Sequence, residues 1–413
     1  MSNKNANING IVVFAHVPPP HHGQSFMVQL MLDGLSQGEE GRSQNSEGRI
    51  HEFKIQSPKS HMTIFHVDAR VSNGIADVGG ICPKKFLRLL RFCCQAIRFR
   101  LFHGTRTLYY IPAPAKRSAI LRDLFALTLL RPFFSRIILH WHAVGLGTWA
   151  SKGGFLEGCL LPLLCGADPA IVIAAGNSAD ARVFKPKSLI LVPNGIPDPC
   201  RNFASHLATR KQRSALVRSW VSKSGQLGPE DAIHVLYLGH CTRSKGLFEA
   251  LDAMIKTAGQ SHGMRWKLAM VGEFMSEKEK AEAECLIRSL QKSGVEIALR
   301  GFLSGADKVQ VYLDSDILLF PSHTESFGLV AVEALACGLP VIGSAIPGLQ
   351  AVLGDTPCAR VPVGDSQAIA TALMMPSSYA DPALLRTRYE AEFTLEKFQS
   401  RIIAALASEP SAP

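Results

Sequence analysis

Short apolar, β-branched runs alternate along this chain with longer stretches whose apolar residues recur at helical spacing. In the first half, Ile11-Val12-Val13-Phe14 precedes a helical pattern over Ser25 to Leu35, Thr107 to Ile111 precedes Ser118 to Leu130, and Ile137 to His142 precedes Phe155 to Leu164. Two further short runs, Ala170 to Ala174 and Leu189 to Val192, complete that half. The second half repeats the rhythm. Val235 to Leu238 leads into Leu247 to Ala258, Lys267 to Val271 into Glu277 to Gln291, and Ile317 to Phe320 into Phe327 to Ala336, with Ile297 to Leu299 and Val341-Ile342 as further strands. Strands apolar on both faces and separated by helices specify parallel sheets with crossover connections. The expected class is α/β: two Rossmann-like, doubly wound domains facing across a cleft, with ligands beyond the carboxyl ends of the strands.

The strand rhythm pauses between 198 and 231, where Asp198-Pro199 precedes a polar, basic run that includes Arg210-Lys211-Gln212-Arg213. This segment reads as the interdomain connection, giving an N-terminal domain over 1–200 and a C-terminal domain over 201–383. The tail, Leu384 to Leu406, has a helical pattern and is expected to pack back on the first domain. A chain of 413 residues with 47% apolar and 19% charged residues can bury two cores, which excludes disorder or coiled coil as its main character. No apolar run approaches the roughly 18 residues of a membrane span. Met1 to Gly10 is polar and unlike a secretory leader, so the expected location is cytoplasmic. The ten cysteines are scattered without a C-x-x-C pair and read as reduced thiols rather than disulfides or a zinc site.

Net charge is +10, and residues 1–200 carry 22 Lys and Arg against 12 Asp and Glu, whereas 201–413 carry 22 against 22. The excess points the first half toward an anionic partner. Part of it lies in Lys84 to Phe102, where six cations interleave with apolar residues such as Leu87, Leu90, Leu101 and Phe102. Such a helix lies on anionic lipid, or it buries its apolar stripe and leaves a basic face in water. No nucleic-acid-binding module is recognisable.

The most specific chemistry lies in Pro321-Ser-His-Thr-Glu325-Ser-Phe-Gly-Leu-Val-Ala-Val-Glu333, followed by Gly338, Pro340 and Val341: strand, loop, helix, glycine stop, strand. If the helix starts near Glu325, its free N–H groups at Ser326, Phe327, Gly328 and Leu329 can hold an anion such as a phosphate. Glu333 would then lie about 12 Å along the axis from Glu325. The competing view, two glutamates on a solvated face, fits poorly with a helix that is otherwise apolar.

In this context the chain resembles the retaining glycosyltransferases of family 4, whose GT-B fold carries a Glu-x7-Glu pair. Other segments match in order: Pro18-Pro-Pro-His-His-Gly23-Gln-Ser25, Val192-Pro-Asn194-Gly195, Gly239 to Gly246, Val271-Gly272, Arg300-Gly301-Phe302 and Arg388-Tyr389 onward. The resemblance implies that Glu325 orients the transferred sugar, Glu333 accepts from ribose hydroxyls, and Phe302 and Leu303 border the base. It places the Gly23 loop beside the donor phosphate and acceptor. Gly272 belongs to the donor side, and His142, at the end of its strand, would contact the sugar. His140 reads as a core histidine, and a zinc pair formed with His142 lacks a third ligand. After Leu238, Lys245 fits the cation that neutralises the diphosphate. Arg243 is the second candidate, because His240 stands where the family has arginine. Asp314-Ser-Asp316 precedes its strand, at the wrong edge for a metal-binding D-x-D.

The reading is a metal-independent, retaining transfer from a UDP-, GDP- or ADP-sugar to a hydroxyl acceptor, with no cofactor. The acceptor would be a lipid-linked or growing cell-surface glycan, in polysaccharide biosynthesis at the inner face of the cytoplasmic membrane. A hydrolytic sugar-nucleotide epimerase and a non-catalytic sugar-nucleotide-binding subunit are the alternatives. Neither a G-x-G-x-x-G dinucleotide fingerprint nor a G-x-x-x-x-G-K-[ST] phosphate loop is present.

Overall fold

Every apolar run named above coincides in whole or in part with a strand of the computed structural model, which describes residues 9–19, 23–36, 51–57, 60–71, 83–222, 228, 231–261 and 263–409. The chain divides into one unit of Met1–Gly195 with Leu395–Pro413 and a second of Ile196–Thr394. The first contains β1 (Asn9–Phe14), α1 (Gly23–Ser36), β2 (His51–Ser57), β3 (Ser60–Val67), α2 (Pro83–His103), β4 (Thr107–Tyr110) and α3 (Arg117–Leu130). It continues with β5 (Arg136–Trp141), α4 (Leu146–Ala150), α5 (Phe155–Leu164), β6 (Ala170–Val172), α6 (Ser178–Arg182) and β7 (Leu189–Leu191). Its strands form one sheet in the order β2-β3-β1-β4-β5-β6-β7, parallel except for the β2–β3 pair at the edge. In α2, Leu89, Cys93, Ala96 and Phe99 are buried at spacings of four, three and three. That stripe turns one face of the helix into the core and leaves the cations on the other.

The second unit contains α7 (Phe203–Ser222), β8 (Ile233–Leu238), α8 (Leu247–Gln260), β9 (Trp266–Val271), α9 (Glu277–Lys292), β10 (Glu296–Gly301) and α10 (Gly305–Asp314). It ends with β11 (Ile317–Phe320), α11 (Leu329–Ala336), β12 (Val341–Ser344), α12 (Pro347–Leu353), β13 (Ala359–Val361), α13 (Ser366–Leu373) and α14 (Pro382–Glu392). The all-parallel order β10-β9-β8-β11-β12-β13 is that of a Rossmann sheet, with its switch point between β8 and β11.

Two sequence expectations are corrected here. The basic stretch within 198–231 is not a connection: it forms α7, inside the second unit, and the units divide at Gly195/Ile196 rather than 200/201. Its cations have partners. Arg213 forms two 2.7 Å hydrogen bonds with the buried Asp316 and lies over the Trp220 ring, and Arg210 donates to the carbonyls of Leu313 and Gly338. Asp316 is thus committed at the amino edge of the sheet, where it also accepts from the His234 amide. The tail likewise splits in two. Residues of α14 stay with the second unit, and only α15 (Leu395–Ala407) joins the first, where Gln399 reaches the Leu30 carbonyl of α1 at 3.0 Å. Among the described residues no helix is long and apolar enough to cross a membrane.

Candidate active site

The loops after β8 and β11 leave the second sheet on either side of its switch point and are fastened to each other. Gly246, at φ +72°, lies so close to Pro321 that a Cβ would sit 2.0 Å from its carbonyl oxygen, so only glycine fits. The His323 amide donates to the Ser244 carbonyl at 3.0 Å, and the His323 ring meets Glu249 at 2.8 Å. This fastening brings Lys245 Nζ to 2.6 Å from Glu325 Oε2, a partly buried ion pair uniting the two residues with the most specific sequence roles. From beneath, Gly348 of α12 touches the Glu325 backbone, leaving 2.3 Å between the Glu325 oxygen and any Cβ at that position.

The helix after this loop starts later than its sequence pattern suggests. Gly328, at φ +96°, is the residue before α11, and the helix begins at Leu329. Glu325, Ser326 and Phe327 therefore belong to the loop, because the left-handed Gly328 cannot extend a helix upstream. Helical rise separates only Leu329 from Glu333, by about 6 Å, so the 12 Å expected between the two glutamates has no helical basis. Ala331 and Val332 donate to the Gly328 carbonyl, placing the amides of Leu329 and Val330 ahead of the ladder. Phe327 is buried and meets Phe393 edge-on.

Glu333, on α11, is held by two side chains that the sequence reading did not single out. Its Oε2 lies 2.6 Å from the Tyr312 hydroxyl and 2.5 Å from Lys308 Nζ, both on α10. Burial pushes the Tyr312 phenol well above its ordinary pKa, and the Glu333 charge adds to that, so the hydroxyl remains a donor. The only sequence signal was the spacing of four between 308 and 312. Before α10, Gly301 turns at φ +61°, followed by Phe302, 71% exposed, and the half-buried Leu303. Gly272, at φ +142°, comes so near Gly239 that a Cβ would sit 1.8 Å from its oxygen, and its amide donates to Gly301. The ends of β8, β9 and β10 thus meet through bare backbone.

Arg243 is not brought to Lys245. Its guanidinium bonds to Glu282 on α9 and lies 4.1 Å from the Phe248 ring centroid, and its amide donates to Glu279. The His240 ring is exposed just beyond β8.

In the first unit, His140 of β5 and His142 just after it lie with ring centroids 4.1 Å apart. His140 is buried, 2.5 Å from the Tyr109 hydroxyl, and burial, reinforced by the charge of His142, pushes its pKa well below the usual value. His142 follows the strand and is also buried. Asp180 fixes the segment that follows, accepting from the amides of Gly145, Gly147 and Thr148. Gly23 opens α1, two residues before the expected start at Ser25, and residues 20–22 of the preceding loop lie outside the described residues. Asp68 holds the start of that loop through the Val17 amide, and Arg70 through the Pro18 carbonyl.

Residues 220–375 match the family model described as Glycosyl transferases group 1. Over 202 residues the chain is 31% identical to a D-inositol 3-phosphate glycosyltransferase of Actinosynnema mirum, spanning 46% of this chain and 40% of that protein. A protein of the same description from Saccharomonospora viridis is 34% identical over 155 residues, 35% of each chain. The alignments thus span two fifths or less of these relatives' length. Among solved structures, sucrose-phosphate synthase from Thermosynechococcus elongatus superposes with a TM-score of 0.60 at 21% identity, over 95% of this chain and 97% of that one. A structure described as trehalose-6-phosphate from E. coli bound with UDP-2-fluoro glucose gives 0.59 at 14%, over 97% and 100%. The fold is that of the GT-B glycosyltransferases.

Proposed function

We propose that this chain is a retaining glycosyltransferase of family 4 that moves a sugar from a nucleotide diphosphate sugar to a hydroxyl acceptor. The observation that carries the reading is the Lys245–Glu325 pair at the switch point of the second sheet, where α/β folds bind their ligands. An ammonium has three donors, so Lys245 can keep Glu325 in place while meeting a phosphate oxygen. Glu325 orients the sugar, and its loop carries Ser326, Phe327 and Gly328 beside it. The amides of Leu329 and Val330 add positive potential for the diphosphate. Glu333 accepts from the ribose, while the exposed Phe302 and the half-buried Leu303 border the base. The resemblance also assigns His142 and the Gly23 loop to the sugar and the acceptor.

The leaving diphosphate oxygen takes the acceptor proton on the face that it vacates, so the configuration is retained. No separate base is needed, and catalysis rests on positioning and on stabilising leaving-group charge. Lys245 and backbone amides provide that stabilisation without a metal. The relatives named D-inositol 3-phosphate glycosyltransferase and the neighbour bound with UDP-2-fluoro glucose support a nucleotide-sugar donor.

A lipid-linked acceptor fits the outward face of α2, where Leu87 is 70%, Leu101 65% and Phe102 76% exposed among Lys84, Arg88, Arg91 and Arg98. Apolar side chains amid cations suit an anionic bilayer surface. Cosedimentation with anionic but not neutral vesicles, lost on changing Leu87, Leu101 and Phe102 to Ser, tests this part.

The central test is thermal stabilisation by UDP, GDP, ADP and their sugars, with and without EDTA, in the parent and in Glu333→Ala. A rise with one diphosphate that survives EDTA and weakens in the variant is expected. No response to any nucleotide by the folded protein overturns the reading. Product anomers scored by NMR then test retention.

A further inference from the structure

The carboxylate of Glu333 is held in an asymmetric way that its proposed role does not require. Both donors, Tyr312 Oη and Lys308 Nζ, meet the same oxygen, Oε2. Among the described residues no donor reaches Oε1. The two donors stand four residues apart on α10, so they lie on one face, one turn above the other. They differ in kind. Tyr312 is fully buried, and its hydroxyl, sunk in the core, points to the carboxylate. Lys308 is partly buried and supplies a cation at its tip.

We infer that Lys308 and Tyr312 are positioning residues that brace Glu333 by Oε2 and present Oε1 to a ribose hydroxyl pair. The inference rests on Glu333 being the ribose acceptor, and it deepens that assignment by explaining what orients the group. A free glutamate has several rotamers to lose on binding. One tied at a single oxygen by two donors has already lost them, so the ribose meets a fixed acceptor. Because the brace belongs to the helix that follows Phe302 and Leu303, the element that ends the base loop also sets the ribose acceptor.

The test separates bracing from direct contact with the donor. UDP, GDP and ADP are titrated into the parent, and the tightest is compared with its dideoxyribose counterpart in the parent, Glu333→Gln, Lys308→Met, Lys308→Arg and Tyr312→Phe. Methionine keeps the lysine's apolar stem and phenylalanine keeps the buried ring, so folding is preserved, as melting curves will verify.

Loss of the ion pair in Lys308→Met should weaken ribonucleotide binding by about tenfold, and loss of the hydrogen bond to the carboxylate in Tyr312→Phe should weaken it severalfold. Dideoxynucleotide binding should not change, and Lys308→Arg should recover part of the loss. The rate of donor hydrolysis at saturation should stay within about twofold, because the brace acts on binding shared by ground and transition states. Equal loss for both nucleotides in Lys308→Met would mean that Lys308 touches the donor itself, and full ribose discrimination in that variant would mean that it does nothing. Either result overturns the brace while leaving Glu333 in its role. If Glu333→Gln itself retains full discrimination, or no nucleotide binds, the assignment of Glu333 falls and the brace with it.

Discussion

Gly348→Ala perturbs Glu325 without touching any reacting group. Gly348 sits in the first turn of α12, and a Cβ there would lie 2.3 Å from the Glu325 oxygen, 2.9 Å from the Ser326 carbonyl carbon and 3.0 Å from that of Glu325. Ordinary contact begins at 3.4 Å, so the two backbones must part by about 1.1 Å (3.4 minus 2.3). No flexible side-chain tip can give way, since all three atoms are backbone. The helix cannot recoil easily either: Leu349, Val352 and Leu353 are fully buried. The Glu325 loop must therefore yield, taking the carboxylate away from Lys245. A misplacement of about 1 Å at a catalytic centre costs on the order of a hundredfold in rate, or about 2.7 kcal/mol of barrier. The strain should also lower stability by about 1–3 kcal/mol. The assay is the initial rate of nucleoside diphosphate release from saturating nucleotide sugar with water as acceptor, alongside the diphosphate Kd and the melting temperature. The rate should fall about a hundredfold, while Kd changes little because Glu333 is anchored elsewhere. Gly259→Ala is the control: it lies in α8 with nothing near its missing Cβ, and helix propensity should stabilise it slightly. A folded Gly348→Ala protein within about threefold of the parent rate, far short of the hundredfold expected of such a displacement, would refute the reasoning, as would an equal loss in the control.

Lys245→Met should lower the same rate by at least about a hundredfold, as removal of a key electrostatic stabiliser does. Arg243→Ala, whose guanidinium is spent on Glu282 and Phe248, should cost no more than a surface pair, within about threefold; the reverse ranking would exchange their roles. His140 stays neutral when folded because burial lowers its pKa, yet an unfolded histidine takes up a proton below about 6.5. Stability is thus fully present above that value and declines by about 1.4 kcal/mol per pH unit below it. Urea midpoints at pH 7.5 and 5.5 should show this decline flattened in His140→Gln, and identical slopes would count against a buried neutral ring. Arg213→Ala strands the buried Asp316 and should destabilise the second unit by about 3 kcal/mol, read as a lower melting temperature, with Asp316→Asn in the same background recovering much of it.

The strands were legible because a strand buried on both faces must be apolar throughout, as Ile317 to Phe320 is. By the same logic β2, with the sequence HEFKIQS, gave no such run and went unseen. Reading polarity as exposure failed at α7, whose arginines are polar and yet satisfy carbonyls and a buried carboxylate. The start of α11 was missed because Gly328 signals a backbone sign, φ +96°, that composition alone does not announce. Positions at strand ends were readable, since strand termini fix them. Partners were not, because Lys308, Tyr312, Asp180 and Glu282 come from helices whose packing decides which side chains meet.

The two cations after β8 show where that boundary falls. In sequence Arg243 and Lys245, separated by one serine, are both candidates for a diphosphate, with Lys245 the better match and Arg243 the second. The chain places them in a 3-10 turn, Arg243–Lys245, where each residue advances about 120°, so positions two apart are rotated by about 240° and cannot share a face. Only one can look toward the β11 loop. The fastening of Gly246 against Pro321 and of His323 against Ser244 selects Lys245 for Glu325, and α9 collects Arg243 on the other side with Glu279 and Glu282. In the proposed function Lys245 is the one side-chain cation assigned to the diphosphate, and the amides of Leu329 and Val330, left ahead of the ladder by the late start of α11, are assigned the remaining positive potential. On that reading Arg243 is held by Glu282 and Phe248 instead of the donor, and Gly328, by delaying α11, leaves the two amides that the proposal uses.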